Sequence, residues 1–218
     1  MFQWKGIWLP DGETHLIEWM EQINKIVDGK PSYQYHKYEA AMKFVKKRRV
    51  AIDVGSHIGL WATHMARDFD LVHCFEPKLD HRKCWKKNMD GKTNSCLHAV
   101  ALGEGTKQVT LFTGPSSSGD TRIDPLINGG VIPMTTLDSY KLEEVDFIKI
   151  DCEGYEYHVL KGAEETLLRE KPVICVEQKP GHGQNFGLTE LAGVEYLESL
   201  GAVRRGGIQG DFFLSWVD

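Results

Sequence analysis

One glycine turn between a strand and a helix constrains the fold of this chain more than any other feature. Residues 49–54 form a short apolar run rich in β-branched side chains, and the apolar residues that begin at Ile58 recur at helical spacing. Gly55 and Gly59 lack a Cβ, so the backbone between them can approach a bound molecule closely. The stretch therefore predicts a βα unit in which the strand-terminal Asp53 and the helix N-terminus face a ligand crevice.

The same alternation of strands and helices continues along the chain, which predicts an α/β fold. Strands are predicted at 71–76, 96–102, 109–112, 146–151 and 173–176, and helices at 58–67, 77–89 and 155–169. Residues 114–130 carry turn residues and predict a loop or lid, with a return to order at 131. The tail predicts a helix at 188–200 and a hairpin of strands 202–204 and 211–217, joined by Gly206 and Gly207. We expect a mostly parallel sheet with helices on both faces and one antiparallel strand near the C-terminus.

Two amphipathic helices precede the glycine turn. Apolar residues recur at intervals of three and four over residues 14–27 and again over residues 35–47. We expect residues 1–48 to form an N-terminal helical extension, which caps a ligand-binding domain at residues 49–218.

Composition narrows the class of protein and its compartment. The apolar fraction of 41% and the charged fraction of 26% are typical of globular proteins, and no apolar run approaches the roughly 20 residues that span a bilayer. The first residues lack the apolar core of a signal peptide, so we expect a cytoplasmic protein with no membrane partner. Five cysteines without a Cys-x-x-Cys pair predict neither a disulfide framework nor a zinc site. The net charge of −5 argues against nucleic acid as a partner.

The charge around the turn indicates which nucleotide it holds. The pattern Asp53-x-Gly55-x-x-x-Gly59 lacks the middle glycine of the G-x-G-x-x-G dinucleotide fingerprint, and Asp53 would repel a phosphate. Glu76 ends the next strand, the position from which a carboxylate accepts the hydroxyls of a ribose. S-adenosylmethionine meets both conditions, because its amino and sulfonium groups are positive. We expect its binding residues to be Asp53, Gly55, Ser56, His57, Gly59, Glu76, Pro77, Ala99 and Asp151.

Residues 50–177 resemble a known family, the FkbM-type S-adenosylmethionine-dependent methyltransferases, also called the Methyltransferase 21 type. The resemblance rests on the blocks 53–59 (DVGSHIG), 75–77 (FEP), 101–103 (ALG), 136–138 (TLD), 146–156 (DFIKIDCEGYE) and 159–162 (VLKG). The block at 146–156 is the most specific of these.

The resemblance implies a Rossmann-like class I methyltransferase fold and transfer of a methyl group to a hydroxyl oxygen of a sugar or another small acceptor. S-adenosylhomocysteine would be the product of the cofactor. Two departures stand out. The family usually has Asn where this chain has His57, a side chain that can titrate near neutral pH. The segments before Lys47 and after Gln178 match nothing in the family pattern, so they are where acceptor recognition could be decided.

Transfer to an alcohol needs a base for the hydroxyl proton as well as close contact between acceptor and methyl group. We expect Asp151 and Glu153, just past a strand end, and His182, in a glycine-rich loop, to be the catalytic residues. Helix capping is the alternative role for Glu153 and is the one we expect for Glu156. We expect no bound metal, although Asp151, Glu177 and His182 could also gather a divalent cation.

Two other functions remain open at this point. One is a cofactor-binding module without turnover. The other is an RNA methyltransferase that uses two local basic clusters, which are Lys43, Lys46, Lys47, Arg48 and Arg49, and Arg82, Lys83, Lys86 and Lys87. The sequence gives no indication of the oligomeric state.

Overall fold

The structure is a computed structural model that describes residues 1–114 and 117–217. Its strands are β1 (Phe2–Trp4), β2 (Ile7–Leu9), β3 (Ile26–Val27), β4 (Lys30–Pro31), β5 (Val50–Val54), β6 (Leu71–Phe75), β7 (Ser95–His98), β8 (Ala101–Leu102), β9 (Lys107–Val109), β10 (Leu111–Thr113), β11 (Thr121–Ile123), β12 (Ile132–Thr135), β13 (Val145–Ile150), β14 (Val173–Glu177), β15 (Val203–Ile208) and β16 (Asp211–Ser215). Its α-helices are α1 (His15–Ile23), α2 (Tyr35–Met42), α3 (Leu60–Asp68), α4 (Leu79–Asn88), α5 (Glu156–Lys161), α6 (Glu164–Glu170) and α7 (Ala192–Ser199). Among the described residues, no helix is long and apolar enough to cross a membrane.

The centre of the molecule is a seven-stranded sheet in the order β15-β16-β14-β13-β5-β6-β7. Neighbouring strands from β14 to β7 are parallel, whereas β16 runs antiparallel to both of its neighbours. This confirms the predicted α/β fold with one antiparallel strand near the C-terminus. The chain leaves β5 toward β6 and later returns to the other side of β5 as β13, so the topological switch point lies between β5 and β13.

Side chains alternate between the two faces of the sheet and build a separate core on each. Ile148 and Ile150 of β13 join the core beneath α5, α6 and α7, whereas Phe147 joins the core beneath α2, α3 and α4. Both faces are apolar because both are covered, which explains the near-continuous hydrophobic runs of β5, β13 and β14. Full burial of one such side chain contributes about 1.5–3 kcal/mol. Lys149 is a buried charged residue that interrupts this apolar pattern on the face covered by α3.

Residues 1–48 hold more than the two predicted helices, since β1 pairs with β2 and β3 with β4 as small hairpins. The first helix ends at Ile23 rather than residue 27, because Asn24 adopts a left-handed conformation with φ of 48°. The second ends at Met42 rather than residue 47. Periodic apolar residues beyond these ends pack as extended or irregular chain, so the helical pattern overstated the length of both helices.

This N-terminal segment is joined to the sheet by polar contacts as well as apolar ones. Lys37 of α2 forms a buried ion pair with Asp211, which opens β16. The backbone of Trp8 exchanges two hydrogen bonds with the Asn88 side chain at the end of α4, at 2.7 and 2.9 Å. Residues 1–48 therefore cover one face of the sheet and one end of α4.

Five further differences from the sequence prediction concern individual elements. The predicted strand 96–102 is divided into β7 and β8, which belong to different sheets, and residues 109–112 are divided between β9 and β10. The predicted lid contains β11, which pairs with β10; its residues Pro115 and Ser116 lie outside the described residues. The predicted helix 155–169 breaks at Gly162, where a Cβ would lie 1.9 Å from the Gly103 carbonyl oxygen. The C-terminal hairpin turns at Gln209 and Gly210, both with positive φ, and the Gly206-Gly207 pair lies within β15.

Candidate functional site

A cleft opens at the carboxyl ends of β5, β6 and β13, at the switch point of the sheet. Its empty volume is about 1130 Å³, including the part that is open to solvent. The floor is formed by the glycine turn and the residues after β13, and one wall by Val100, Ala101 and Leu102. The N-terminal segment and the β10–β11 hairpin complete the rim. In open α/β sheets this is the place where ligands bind.

The glycine turn keeps its shape through contacts within the protein. Gly55 has φ of +77°, and a Cβ there would lie 1.9 Å from the carbonyl oxygen of Asp151. A Cβ on Gly59 would lie 2.8 Å from the ring of Trp85. Both glycines are thus required by the close approach of other protein groups, in addition to any approach to a ligand.

Glu76, at the end of β6, is held in the cleft wall by two backbone amides. The amide of His57 donates to Oε2 and the amide of Lys78 donates to Oε1, both at 2.8 Å. The side chain is buried, and this burial raises the pKa of the Glu76 carboxyl above its usual range. Because an ionised carboxylate offers about four acceptor positions, two amides leave acceptor capacity for a ligand.

His57 departs from the sequence expectation that it titrates near neutral pH. Burial, together with His81, whose ring meets it edge-on with the ring centres 4.2 Å apart, lowers the pKa of the imidazole to about 3. Its Nε2 lies 2.9 Å from the Ser118 hydroxyl. Ser118 in turn donates its amide and hydroxyl to Glu13 of the N-terminal segment. His57 is therefore a neutral link between the turn and the rim of the cleft.

Lys149 lies beneath the turn with two carboxylates. Its Nζ is 3.2 Å from Asp151 Oδ2 and 3.8 Å from Asp53 Oδ1, and it lies 5.5 Å from the centre of the Trp61 ring. Burial lowers the pKa of this ammonium, but Asp151 and Asp53 outweigh burial, and the pKa is well above its usual range. Asp53 Oδ2 accepts a hydrogen bond from Ser56 at 2.7 Å, whereas Oδ1 has no hydrogen-bond donor among the described residues. At Oδ1, the ion pair with Lys149 is therefore the contact that compensates the buried charge of Asp53.

A second group of charges gathers where β13 and β14 end. Lys179 Nζ lies 2.9 Å from Glu177 Oε2 and 3.6 Å from Glu153 Oε1. His182 Nδ1 lies 2.9 Å from Glu153 Oε2, and this contact raises the pKa of the imidazole. Burial and the neighbouring Asp151 raise the pKa of Glu177 well above its usual range. For Asp151, burial acts in the same direction, but Lys149 and Lys179 outweigh it and the pKa is lowered. The group therefore contains acids with pKa values displaced in opposite directions, an arrangement common at catalytic sites.

The structure brings most of the predicted site residues into one place. Those that line the cleft are Gly55, Ser56, His57, Glu76, Pro77, Asp151 and Glu153. Asp53 and Gly59 lie directly behind the lining residues. His182 contacts Glu153, which lines the cleft. Ala99 is exposed, and the next three residues of the chain line the cleft in its place.

Sequence reasoning missed the lining residues that come from distant segments. Leu16 and Tyr33 come from the N-terminal segment, and Leu111 and Arg122 from the β10–β11 hairpin. The apolar pattern places Leu16 only on the buried face of an amphipathic helix, and nothing in the pattern around Tyr33 distinguishes it from a packing residue. Lys149 also lines the cleft, and its place inside an apolar strand was the one signal that marked it.

Glu156 opens α5, as predicted, but its carboxylate binds the loop before the helix instead of capping the helix amides. Its Oε1 accepts the amides of Cys152 and Gly154 at 2.8 and 3.0 Å, and burial raises the pKa of the carboxyl to about 7. This side chain is 1% exposed.

We expect Glu156 to contribute a fall in the free energy of unfolding as the pH rises from about 5 to 7. The folded protein holds the proton up to about pH 7, whereas an unfolded chain with a pKa of 4.5 releases it earlier, so the stabilisation is lost as the pH passes through the folded value. Buried histidines with a lowered pKa, such as His57, contribute in the opposite direction. In Glu156→Gln, the fall in the free energy of unfolding between pH 5 and 7, measured by urea unfolding, should be smaller by about 1–3 kcal/mol. The exposed Glu165→Gln should leave the slope unchanged. An equal slope in Glu156→Gln and the parent protein would contradict the assignment.

The chain is similar to known methyltransferases in both sequence and structure. The sequence model of the methyltransferase FkbM domain matches residues 53–205. This range begins at Asp53 in the glycine turn and ends within β15. It includes residues 179–205, so the expectation that nothing after Gln178 matches the family pattern was wrong for that part of the tail. No curated protein is similar enough in sequence to count as a relative.

Several solved methyltransferase structures share the fold. Methyltransferase FkbM from Methylobacillus flagellatus KT aligns with a TM-score of 0.50 and 19% identity over 78% of this chain and 44% of that one, so this chain spans less than half its length. A putative methyltransferase from Streptococcus mutans in complex with SAH aligns with a TM-score of 0.52 and 8% identity, over 83% and 94% of the two chains. Precorrin-6y C5,15-methyltransferase from Geobacter metallireducens GS-15 aligns with a TM-score of 0.50 and 10% identity, over 98% and 100%. At these identities the similarity establishes the Rossmann-like methyltransferase fold.

Proposed function

We propose that this chain, which belongs to the methyltransferase FkbM family, transfers a methyl group from S-adenosylmethionine to a hydroxyl group of a sugar or another small acceptor. The observation that carries the proposal is the fixed position of Glu76. Two backbone amides hold its carboxylate at the end of β6, beside the glycine turn and at the switch point of the sheet.

The residues of the cleft fit an adenosyl sulfonium. Glu76 has acceptor capacity left for the two hydroxyls of a ribose. The wall formed by Val100, Ala101 and Leu102 offers an apolar surface to an adenine ring. Asp151 keeps its negative charge through its two lysines and would attract the positive amino group. When bound, the cofactor supplies a methyl group on a positively charged sulfur, which is already activated for displacement.

The acidic group past β13 supports a hydroxyl as the acceptor. An alcohol oxygen must lose its proton as it attacks, and a carboxylate or imidazole within hydrogen-bond reach can take it. Glu153 lines the cleft and has His182 at 2.9 Å, so a proton accepted by Glu153 can be shared with a second base. Asp151 lies closer to the glycine turn and serves better to orient the cofactor. We assign Glu153 as the base and His182 as its positioning partner.

Calorimetric titration with S-adenosylmethionine tests the cofactor part of the proposal, and transfer of labelled methyl groups to a panel of sugars and small alcohols tests the reaction. We expect binding, and transfer that falls by about 10²–10⁴-fold in Glu153→Gln. Absence of binding would refute the cofactor assignment. Binding without transfer to any acceptor would favour a module without turnover, and steeply salt-dependent binding of RNA would favour an RNA acceptor.

A further inference from the structure

We propose that Tyr33 binds the methyl acceptor by donating a hydrogen bond to an oxygen atom on the carbon next to the hydroxyl that is methylated. The inference rests on the proposed function and deepens it, because it narrows the acceptor to compounds with oxygen atoms on neighbouring carbons, such as the diols of sugars. Tyr33 precedes the residues that match the family model, 53–205, so this contact comes from a segment outside the family pattern.

Tyr33 is held in place by its two neighbours in the chain. The hydroxyl of Ser32 lies 3.0 Å from Nε2 of His64, and the side-chain oxygen of Gln34 accepts a hydrogen bond from Nε1 of Trp61, also at 3.0 Å. Both partners belong to α3, the helix that begins directly after the glycine turn. The position of Tyr33 is therefore fixed relative to the turn on which the cofactor would lie.

The hydroxyl of Tyr33 accepts one hydrogen bond and keeps its own proton available. Its oxygen accepts from Nε2 of Gln34 at 3.1 Å. The amide of Gln34 is fixed in this orientation, because its other end accepts from the indole of Trp61, which is a donor only. The proton of the Tyr33 hydroxyl is not donated to any residue that the structure describes. Because Tyr33 lines the cleft, this donor is available to a molecule bound there.

The charges around Tyr33 keep the proton on the phenol. Burial and the negative charges of Asp151 and Glu177 raise the pKa of the phenol, and they outweigh Lys179 and Lys149, which lower it. The phenol is therefore protonated at neutral pH and acts as a donor rather than as a base. Since these four charged groups all act on it, the hydroxyl lies near the acidic group past β13.

Three side chains that line the cleft form a set that suits two oxygen atoms. Glu153, assigned above as the base, takes the proton of the hydroxyl that is methylated. Tyr33 donates to the neighbouring oxygen, and Lys179, with Nζ 3.6 Å from Glu153 Oε1, adds a positive charge beside the base. A compound without the second oxygen leaves the Tyr33 proton unpaired, which is the way a hydrogen-bonding site rejects an analogue.

The ring of Tyr33 also has a packing role, which must be separated from the role of its hydroxyl. The ring lies against Trp19, with the ring centres 4.7 Å apart and the planes at 57°. Tyr33→Phe keeps this contact and removes the hydroxyl alone. Tyr157→Phe is the matched control, because Tyr157 lies on α5 and is not among the residues that line the cleft.

The test measures transfer of labelled methyl groups from S-adenosylmethionine to cis-1,2-cyclohexanediol and to cyclohexanol, which differ by the neighbouring oxygen. We expect the parent protein to methylate the diol with a kcat/KM at least about tenfold higher. In Tyr33→Phe, kcat/KM for the diol should fall by about tenfold, mainly through KM, and the value for cyclohexanol should be unchanged. The affinity of Tyr33→Phe for S-adenosylmethionine, measured by calorimetry, should also be unchanged. Tyr157→Phe should equal the parent protein in all three measurements.

An equal fall for both compounds, or no fall for the diol, would overturn the inference. Weaker binding of S-adenosylmethionine in Tyr33→Phe would do the same, since the hydroxyl would then serve the cofactor. If the parent protein binds the cofactor but methylates both compounds equally, or neither of them, the inference fails and the cofactor assignment stands. Absence of cofactor binding in the parent protein would refute the proposed function itself. Thermal unfolding shows whether Tyr33→Phe is folded, and the comparison of the two compounds in the parent protein does not depend on that variant.

Discussion

Glu76→Gln should weaken the binding of S-adenosylmethionine by about 10- to 100-fold. The substitution keeps the shape of the side chain but replaces one acceptor oxygen with a donor and removes the charge. A hydrogen bond to a charged group contributes about 1.5–3 kcal/mol, which corresponds to this range of affinity. The affinity is measured by calorimetry at fixed pH and salt.

The control for this prediction is Asp80→Asn, since Asp80 is an exposed acid at the start of α4, four positions after Glu76. The Asp80→Asn protein should bind the cofactor with the same affinity as the parent protein. Thermal unfolding of Glu76→Gln without ligand shows whether the variant is folded. A folded Glu76→Gln protein with unchanged affinity would remove the ribose assignment.

Lys149→Met should lower the free energy of unfolding by about 3–5 kcal/mol, the range typical of removing one partner from a buried ion pair. Lys149 is 4% exposed and is the cation within 4 Å of both Asp53 and Asp151. Without it, Asp53 Oδ1 loses its ion pair and has no hydrogen-bond donor among the described residues. Urea unfolding at pH 7 measures the change.

A double variant separates the charge effect from the effect of a changed side-chain shape. Asp53→Asn in the Lys149→Met background removes one of the uncompensated charges and should recover part of the lost stability. Lys86→Met, on the exposed side of α4, should change the free energy of unfolding by less than about 0.5 kcal/mol. A double variant no more stable than Lys149→Met would mean that packing, rather than charge, dominates at this position.

The sheet was predictable because its strands are short apolar runs that end in acids and glycines. Asp53, Glu76 and Asp151 each mark a strand end, and the carboxyl ends of parallel strands lie at one edge of the sheet. The small hairpins were not predictable in the same way. In β1 and β2, only three residues pair on each side, and such a length carries no reliable alternation.

The site was predictable where one local pattern supplies several residues, as in the turn at 53–59 and the block at 146–156. It was not predictable where a side chain arrives from a distant segment. Tyr33 and Leu16 reach the cleft because α1 and α2 fold over the sheet, and sequence periodicity shows only that a helix has an apolar face. The low pKa of His57 was also beyond the sequence, since it depends on burial beside His81.

The ion pair between Lys37 and Asp211 has a consequence for biosynthesis. The two residues are 174 positions apart, so α2 cannot complete its contacts until the ribosome has made β16. During that interval part of the apolar face of α2 is without β14 and β16, which cover it, a condition that favours aggregation or capture by chaperones. The contacts of α2 with the sheet are thus complete only after β16 has been translated.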